Sequence, residues 1–355
     1  MNRAIGAAIA GGGFGVRVML PCLRAAGFAV RAVCSRTPAR FEAEARAQGV
    51  SRVTADFTSL IGDADVDLIC VATPPALHAE MAIAALRAGK HLLCEKPLAR
   101  TAAEALQIAE AGRGRAGVQA VDHQLRFHPN FARIRHAIAA GEIGAVRSVH
   151  VCYASAARAD PALPLDWWSD AAAGGGQLNA LGSHMVDTLR WWLADEVVDA
   201  RGSLATFTAR RTAPGGGSGP VTADEYAAFQ LQFARGTLAS VVVSAVDPTD
   251  SGLRIEIVGA TGRLLLDGFD SLSLAIGRTA PRDISVADTL IGQPTIGLNA
   301  WRTSLVRYGE HLLECIRDGR ACSGATLEEG VTIQRVLESV RGSAAAAIRE
   351  GKRQW

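Results

Sequence analysis

The sequence predicts an α/β protein of two domains. The first has a parallel sheet flanked by helices. The second is of α+β type, built on a large, mostly antiparallel open sheet. Three observations predict this. Short apolar strands alternate with helical stretches up to residue 121. Period-two alternation of apolar and polar residues replaces that pattern afterwards. The chain has 355 residues, 49% of them hydrophobic, which suits two domains with substantial cores. The expected division is 1–122 for the first domain and 123–355 for the second.

In the first domain, Ala4–Ala10 follows Arg3 and has the make-up of a short leader, but it runs straight into a glycine cluster and reads as a buried strand. A helix from Gly15 to Ala26 is stopped by Gly27, and Ala29–Cys34 is the second strand. Thr37 offers an N-cap with Pro38 at the first helical position, and that helix runs to Gln48 before Gly49. Asp67–Ala72 is an apolar run of the kind covered on both faces. Pro75–Ala88 reads as a helix closed by Gly89, and His91–Cys94 as a strand. Thr101 and Glu104 have capping-box spacing for the next helix, and Val118–Val121 completes the series.

The second domain opens with a helix from Pro129 to Ala140. Val149, Val151 and Tyr153 then alternate with His150 and Cys152, and Ala227, Phe229, Leu231 and Phe233 with Ala228, Gln230 and Gln232. Further strands are expected at Thr237–Val246, Leu253–Val258, Leu264–Leu266 and Leu272–Ile276, with the turn Gly259–Gly262 joining two of them. Helices near Ser304–Arg317 and Leu327–Arg349 end the chain. The glycine run between Pro214 and Pro220 precedes no helix, so it reads as a mobile loop and not as a phosphate cradle.

Charge narrows the function. Lys and Arg number 37 against 35 Asp and Glu, interspersed, which argues against nucleic-acid and membrane-surface partners. No apolar run approaches the ~20 residues of a membrane helix. The 7 cysteines form no CxxC pair, and several lie in apolar runs, as expected of reduced thiols in a cytoplasmic protein. No Cys/His group has zinc-ligand spacing, so no metal is expected.

Gly11-Gly-Gly13-Phe-Gly15 follows a strand and opens a helix, the context in which a glycine motif binds a dinucleotide. Gly11 permits the tight turn, and Gly13 lets the backbone approach a pyrophosphate at the positive end of the helix, with Phe14 beside it. Val16 stands where the third glycine is usual, and Gly15 takes over the close helix–strand approach. About 20 residues further on, an acidic residue would hold the ribose 2′-hydroxyl of NAD. The sequence has Ser35 and Arg36 there, a hydroxyl and a guanidinium that suit a phosphate, so NADP is favoured, with NAD possible.

Four segments together resemble the Gfo/Idh/MocA family of oxidoreductases, which includes glucose–fructose oxidoreductase and inositol dehydrogenase. They are the Gly11–Gly15 turn, Val71-Ala-Thr-Pro-Pro-Ala-Leu-His78, Cys94-Glu-Lys-Pro-Leu98, and Gly174-Gly-Gly-Gln-Leu-Asn-Ala-Leu-Gly-Ser-His184. The resemblance implies that Thr73, Pro74, Glu95 and Lys96 flank a nicotinamide, with His78 near the cofactor and Pro97 in cis to aim the lysine. Strand ends agree, because ligands of open α/β sheets lie beyond the carboxyl ends of the strands. Lys96 would give or take the proton of a reacting hydroxyl, its pKa lowered by burial. His184 would sit on a helix facing the lysine across the cleft between the domains.

The family's Asp four residues before this histidine is Ala180 here, so the third member of the relay is unassigned. Asn179 is adjacent but turned away on an ideal helix, and Asp187 follows His184 by three residues. Arg126 could reach the cofactor or substrate. Tyr153, Trp167 or Trp168, Asn179, His184 and Lys96 are the candidate substrate contacts, and His311 is a more distant one. The expected activity is hydride transfer between nicotinamide and a secondary alcohol or ketone of a sugar, cyclitol or other polyol. A redox-neutral lyase using the same cofactor, or a non-catalytic NADP-binding sensor, are the alternatives. A sheet with one uncovered face also suggests a homodimer or homotetramer through the second domain.

Overall fold

The structure, a computed structural model, describes residues 3–293 and 299–351. It divides into two compact units, and the division differs from the expected cut at residue 122. The first unit is the chain up to His128 together with Asp288–Thr332, and the second is Pro129–Ala287 with the chain from Ile333 onward. The cause is the helix Ala300–Asp318, whose apolar face belongs to the first core. Gly309 lets it approach Ala26, where a Cβ would come within 2.7 Å of the alanine methyl.

The first unit holds a six-stranded parallel sheet. Its strands are β1 (Gly6–Ala10), β2 (Ala29–Cys34), β3 (Arg52–Thr54), β4 (Leu68–Val71), β5 (His91–Cys94) and β6 (Gln119–Val121). They lie in the order β3-β2-β1-β4-β5-β6. This is the doubly wound Rossmann order, whose direction reverses between β1 and β4. Residues of β1 and β4 are buried throughout, as strands covered on both faces require. The edge strand β3 has no apolar run and escapes sequence reading. Thr101 Oγ1 accepts the Glu104 N–H at 3.1 Å, so the expected cap forms. Thr37 makes no side-chain cap, and its own N–H is taken by Ser35 Oγ at 3.2 Å. The first expected helix begins with a π turn, Gly15–Met19, before the α-helical Leu20–Ala25.

The second unit carries β7 (Val146–Ala154), β8 (Val197–Ala205), β9 (Arg210–Thr212), β10 (Ser218–Pro220), β11 (Tyr226–Phe233), β12 (Leu238–Ser244), β13 (Gly252–Gly259), β14 (Gly262–Asp267), β15 (Ser271–Ile276) and β16 (Arg282–Asp283). Eight form one sheet, β16-β15-β14-β13-β7-β12-β11-β8, antiparallel except for β7 against β12. The alternation read from sequence sets its faces: Val149, Val151, Phe229, Leu231, Val241 and Ile255 point into the core. β9 and β10 form a separate hairpin around Gly215–Gly217, all three at positive φ, so the glycine run joins two strands as the loop of a hairpin.

Candidate active site

Gly11 closes the end of β1 with φ 133° and donates its N–H to Cys34 O at 2.8 Å, tying the turn to the end of β2. A Cβ on Gly11 would lie 2.2 Å from Ala72 O, and one on Gly15 would lie 2.8 Å from Ile9. Sequence reading passed over Gly12, whose Cβ would strike the Phe41 ring at 2.3 Å. Gly13 differs from all three, since a Cβ there meets nothing within 4 Å. Gly13 and Phe14 are exposed, so the turn presents open backbone at a helix start, a cradle that fits a pyrophosphate. Ser35 and the exposed Arg36 follow β2 directly beside it.

The other expected contacts line the same edge of the sheet. Thr73 and Pro74 follow β4, Glu95 and Lys96 follow β5, and Asp122 follows β6. From β2 to β5 is three strand intervals, roughly 14 Å at ~4.8 Å each, a span that suits an extended dinucleotide. The Lys96–Pro97 bond is cis, as expected.

Lys96 is half-buried, and burial lowers its pKa while Glu95 and Asp122 oppose that. Asp122 is completely buried and Glu95 nearly so, at 0% and 8% exposure. Neither Asp122 carboxyl oxygen meets a hydrogen-bond partner among the described residues, and the Glu95 carboxyl is its charged neighbour. Two neighbouring buried carboxyl groups disfavour each other's ionised form. Burial accordingly pushes both carboxyls up, Asp122 the further. Asp122 was missed by sequence reading. The available signal was a charged residue closing the apolar run Val118–Val121 at a strand's carboxyl end.

His78 is fully buried, with Nε2 2.8 Å from Thr73 O and Nδ1 3.0 Å from Pro97 O. Burial lowers its pKa, and the carbonyl contacts oppose that. It braces the loops that carry Thr73 and Lys96. Arg126 makes a two-point ion pair with Glu329, at 2.8 and 3.3 Å, and Glu329 also accepts the Thr326 N–H. His311 lies with Cys315, Cys322 and Ser323, a grouping that sequence spacing did not reveal.

The remaining candidates lie in the second unit. His184 is buried on the helix Ser183–Leu193, with Asp187 and Thr188 buried three and four residues later on its face. The preceding turn, Leu178–Gly182, is π-helical, so ideal-helix angles do not apply to Asn179. The Asn179 amide donates to Gly174 O at 3.0 Å, and its oxygen accepts from Arg341, so the side chain holds the glycine-rich segment in shape. Trp168 lies under the Arg158 guanidinium, 4.9 Å from its ring centre, while Trp167 is 44% exposed. Tyr153 is half-buried on β7.

Comparison with known proteins fits this geometry. Residues 5–123 match the family described as "Oxidoreductase family, NAD-binding Rossmann fold", and residues 131–265 match the "GFO/IDH/MocA C-terminal domain". Glucose-fructose oxidoreductase domain-containing protein 2 of Mus musculus is 27% identical over 97% of this chain and 92% of its own. The crystal structure of an oxidoreductase domain protein from Kribbella flavida is 30% identical, with a TM-score of 0.88 over 98% of both chains. Levoglucosan dehydrogenase in complex with NADH and levoglucosan is 26% identical, with a TM-score of 0.87 over 97% of this chain and 98% of its own.

Proposed function

The chain belongs to the Gfo/Idh/MocA family of oxidoreductases, and from that premise we propose that it is an NAD(P)-dependent dehydrogenase or reductase acting on a secondary alcohol or ketone of a sugar, cyclitol or related polyol. The observation that carries the reading is Lys96 set beside the Glu95–Asp122 pair, on the strand edge that begins with the glycine cradle. The likeness to levoglucosan dehydrogenase supports the substrate class.

The backbone of Gly11–Gly15 binds the pyrophosphate, and Thr73, Pro74 and Glu95 flank the nicotinamide ribose and ring. A bound nicotinamide supplies or removes a hydride. Lys96 holds the proton at Nζ: its ammonium donates to a carbonyl oxygen in reduction, and its amine accepts from the hydroxyl in oxidation. The carboxyl pair keeps one negative charge beside Lys96, which tempers the desolvation that would otherwise neutralise it. His184, Tyr153 and Trp167 are the proposed substrate contacts, His184 acting with Lys96 in proton handling, and Asn179 shapes the segment that carries His184. Ser35 and Arg36 support NADP over NAD, and the open polar face of the large sheet, with His150 bonded to Ser240 at 2.7 Å, supports a homo-oligomer. The buried thiols suit a reducing cytoplasm, and among the described residues no helix is long and apolar enough to cross a membrane.

The test is a panel of aldoses, anhydrosugars and cyclitols with NADP+ and NAD+ in turn, followed by the absorbance of reduced nicotinamide. Turnover of a panel member supports the reading. Tight dinucleotide binding with no turnover of any member contradicts it.

A further inference from the structure

The thiols of Cys315 and Cys322 and the imidazole of His311 stand apart from the reaction just described. Their ligand atoms all lie within 4.8 Å of one another. His311 and Cys315 are four residues apart on the helix Ala300–Asp318, so they share a face. Gly319 ends that helix at φ 63°, and the chain folds back to bring Cys322 over the same face.

We propose that His311, Cys315 and Cys322 form a binding site for a thiophilic divalent cation of the zinc class, which clips the loop after this helix to the helix itself. His311 Nε2 and Cys315 Sγ are 3.4 Å apart. Tetrahedral zinc, with Zn–N of about 2.0 Å and Zn–S of about 2.3 Å, separates such a pair by about 3.5 Å. His311 and Cys315 are therefore already at coordination spacing, and the Cys322 thiol lies within 4.8 Å of both.

Tautomer and access agree. Ser323 donates its N–H to His311 Nε2 at 3.0 Å, so that nitrogen carries the lone pair a metal needs. A cation there displaces the Ser323 N–H and hydroxyl, 3.0 and 3.1 Å from Nε2, and the proton of the Cys315 thiol. Burial lowers the imidazole pKa. His311 and Cys322 are half-buried, which leaves an approach from solvent, and the fourth position falls to water next to the Ser323 hydroxyl. Burial raises both thiols, Cys322 to about 11, so binding must release their protons. The clip lies behind the strand edge of the reaction: Val121 donates to Ala325 O at 2.9 Å, three residues past Cys322 and one before Asp122.

The test uses full-length reduced protein, stripped with a chelator and titrated with Zn2+ alone. One zinc per chain should bind, with release of about two protons and loss of reactivity of Cys315 and Cys322 toward a thiol reagent. Cys322→Ser, on the half-buried loop, should weaken zinc by at least roughly a hundredfold while binding the dinucleotide as before. Zinc affinity equal in Cys322→Ser and the parent overturns the proposal. So does a Cys315–Cys322 disulfide, two hydrogens lighter by mass, forming in air while the reduced protein fails to retain zinc.

Discussion

Glu95 and Asp122 stand at the ends of neighbouring parallel strands as a pair of buried carboxyl groups beside Lys96. Asp122 donates its N–H to Cys94 O at 2.7 Å, which fixes the pair's separation through the sheet itself. Burial and the neighbouring Glu95 charge raise the Asp122 carboxyl, and both carboxyls oppose the burial that lowers the Lys96 pKa.

Neutralising the pair should move the lysine. In Glu95→Gln/Asp122→Asn, the attraction that raises the Lys96 pKa is removed while burial, which lowers it, remains. The pH–rate limb due to Lys96 should therefore shift to lower pH, and either single variant should shift it less, because one charge survives. A limb unmoved in the double variant would separate the pair from the lysine.

Stability should carry the same signature. The folded-state pKa of Asp122 is raised, so the folded chain binds more protons than the unfolded one between the two values, and stability falls as pH rises through that window. Asp122→Asn lacks this loss. Its stability relative to the parent should therefore rise from pH 4 to pH 8. Denaturant melts at both pH values measure it.

His78 should matter without touching the reaction. Its folded pKa is lowered, so its contribution is present above the ordinary histidine pKa and is lost as pH falls below it. His78→Leu keeps the apolar volume and removes the brace between Thr73 and Pro97. It should cost about 1–3 kcal/mol and lower kcat, and its stability should be less sensitive to acid than that of the parent.

The glycines should separate by role. Gly13→Val places its side chain in open space, so stability should stay within about 0.5 kcal/mol while dinucleotide affinity falls at least roughly tenfold. Gly12→Val must displace the Phe41 ring, so its stability should fall first. Thermal melts and dinucleotide titrations distinguish the two.

Arg36→Ala should weaken NADPH by about tenfold or more, the worth of a hydrogen bond to a charged group, and leave NADH unchanged. Equal losses for both cofactors would place Arg36 away from the 2′ position.

Much of this was legible in the sequence because it rests on local rules. Short apolar runs marked β1, β2, β4 and β5, and period-two alternation marked β7, β11 and β12. Lys96 and the glycine turn were found because each sits where a strand ends. What stayed hidden depends on distant partners. The helix Ala300–Asp318 joins the first unit through Gly309 and Ala26, a contact that no local pattern announces. Asp122 is significant only because β6 lies next to β5, and Asn179 is bound to Arg341 from the far end of the chain. His311, Cys315 and Cys322 meet only once Gly319 reverses the chain.

The most direct test is single-turnover reduction of the dinucleotide by a turned-over polyol, in the parent and in Lys96→Met, with dinucleotide affinity measured alongside. The variant should be slowed by about 10²–10⁴-fold, with dinucleotide affinity preserved and the pH limb assigned to Lys96 abolished. A variant that reduces the dinucleotide at the parent's rate, with the same pH profile, would contradict the role of Lys96 and the mechanism built on it.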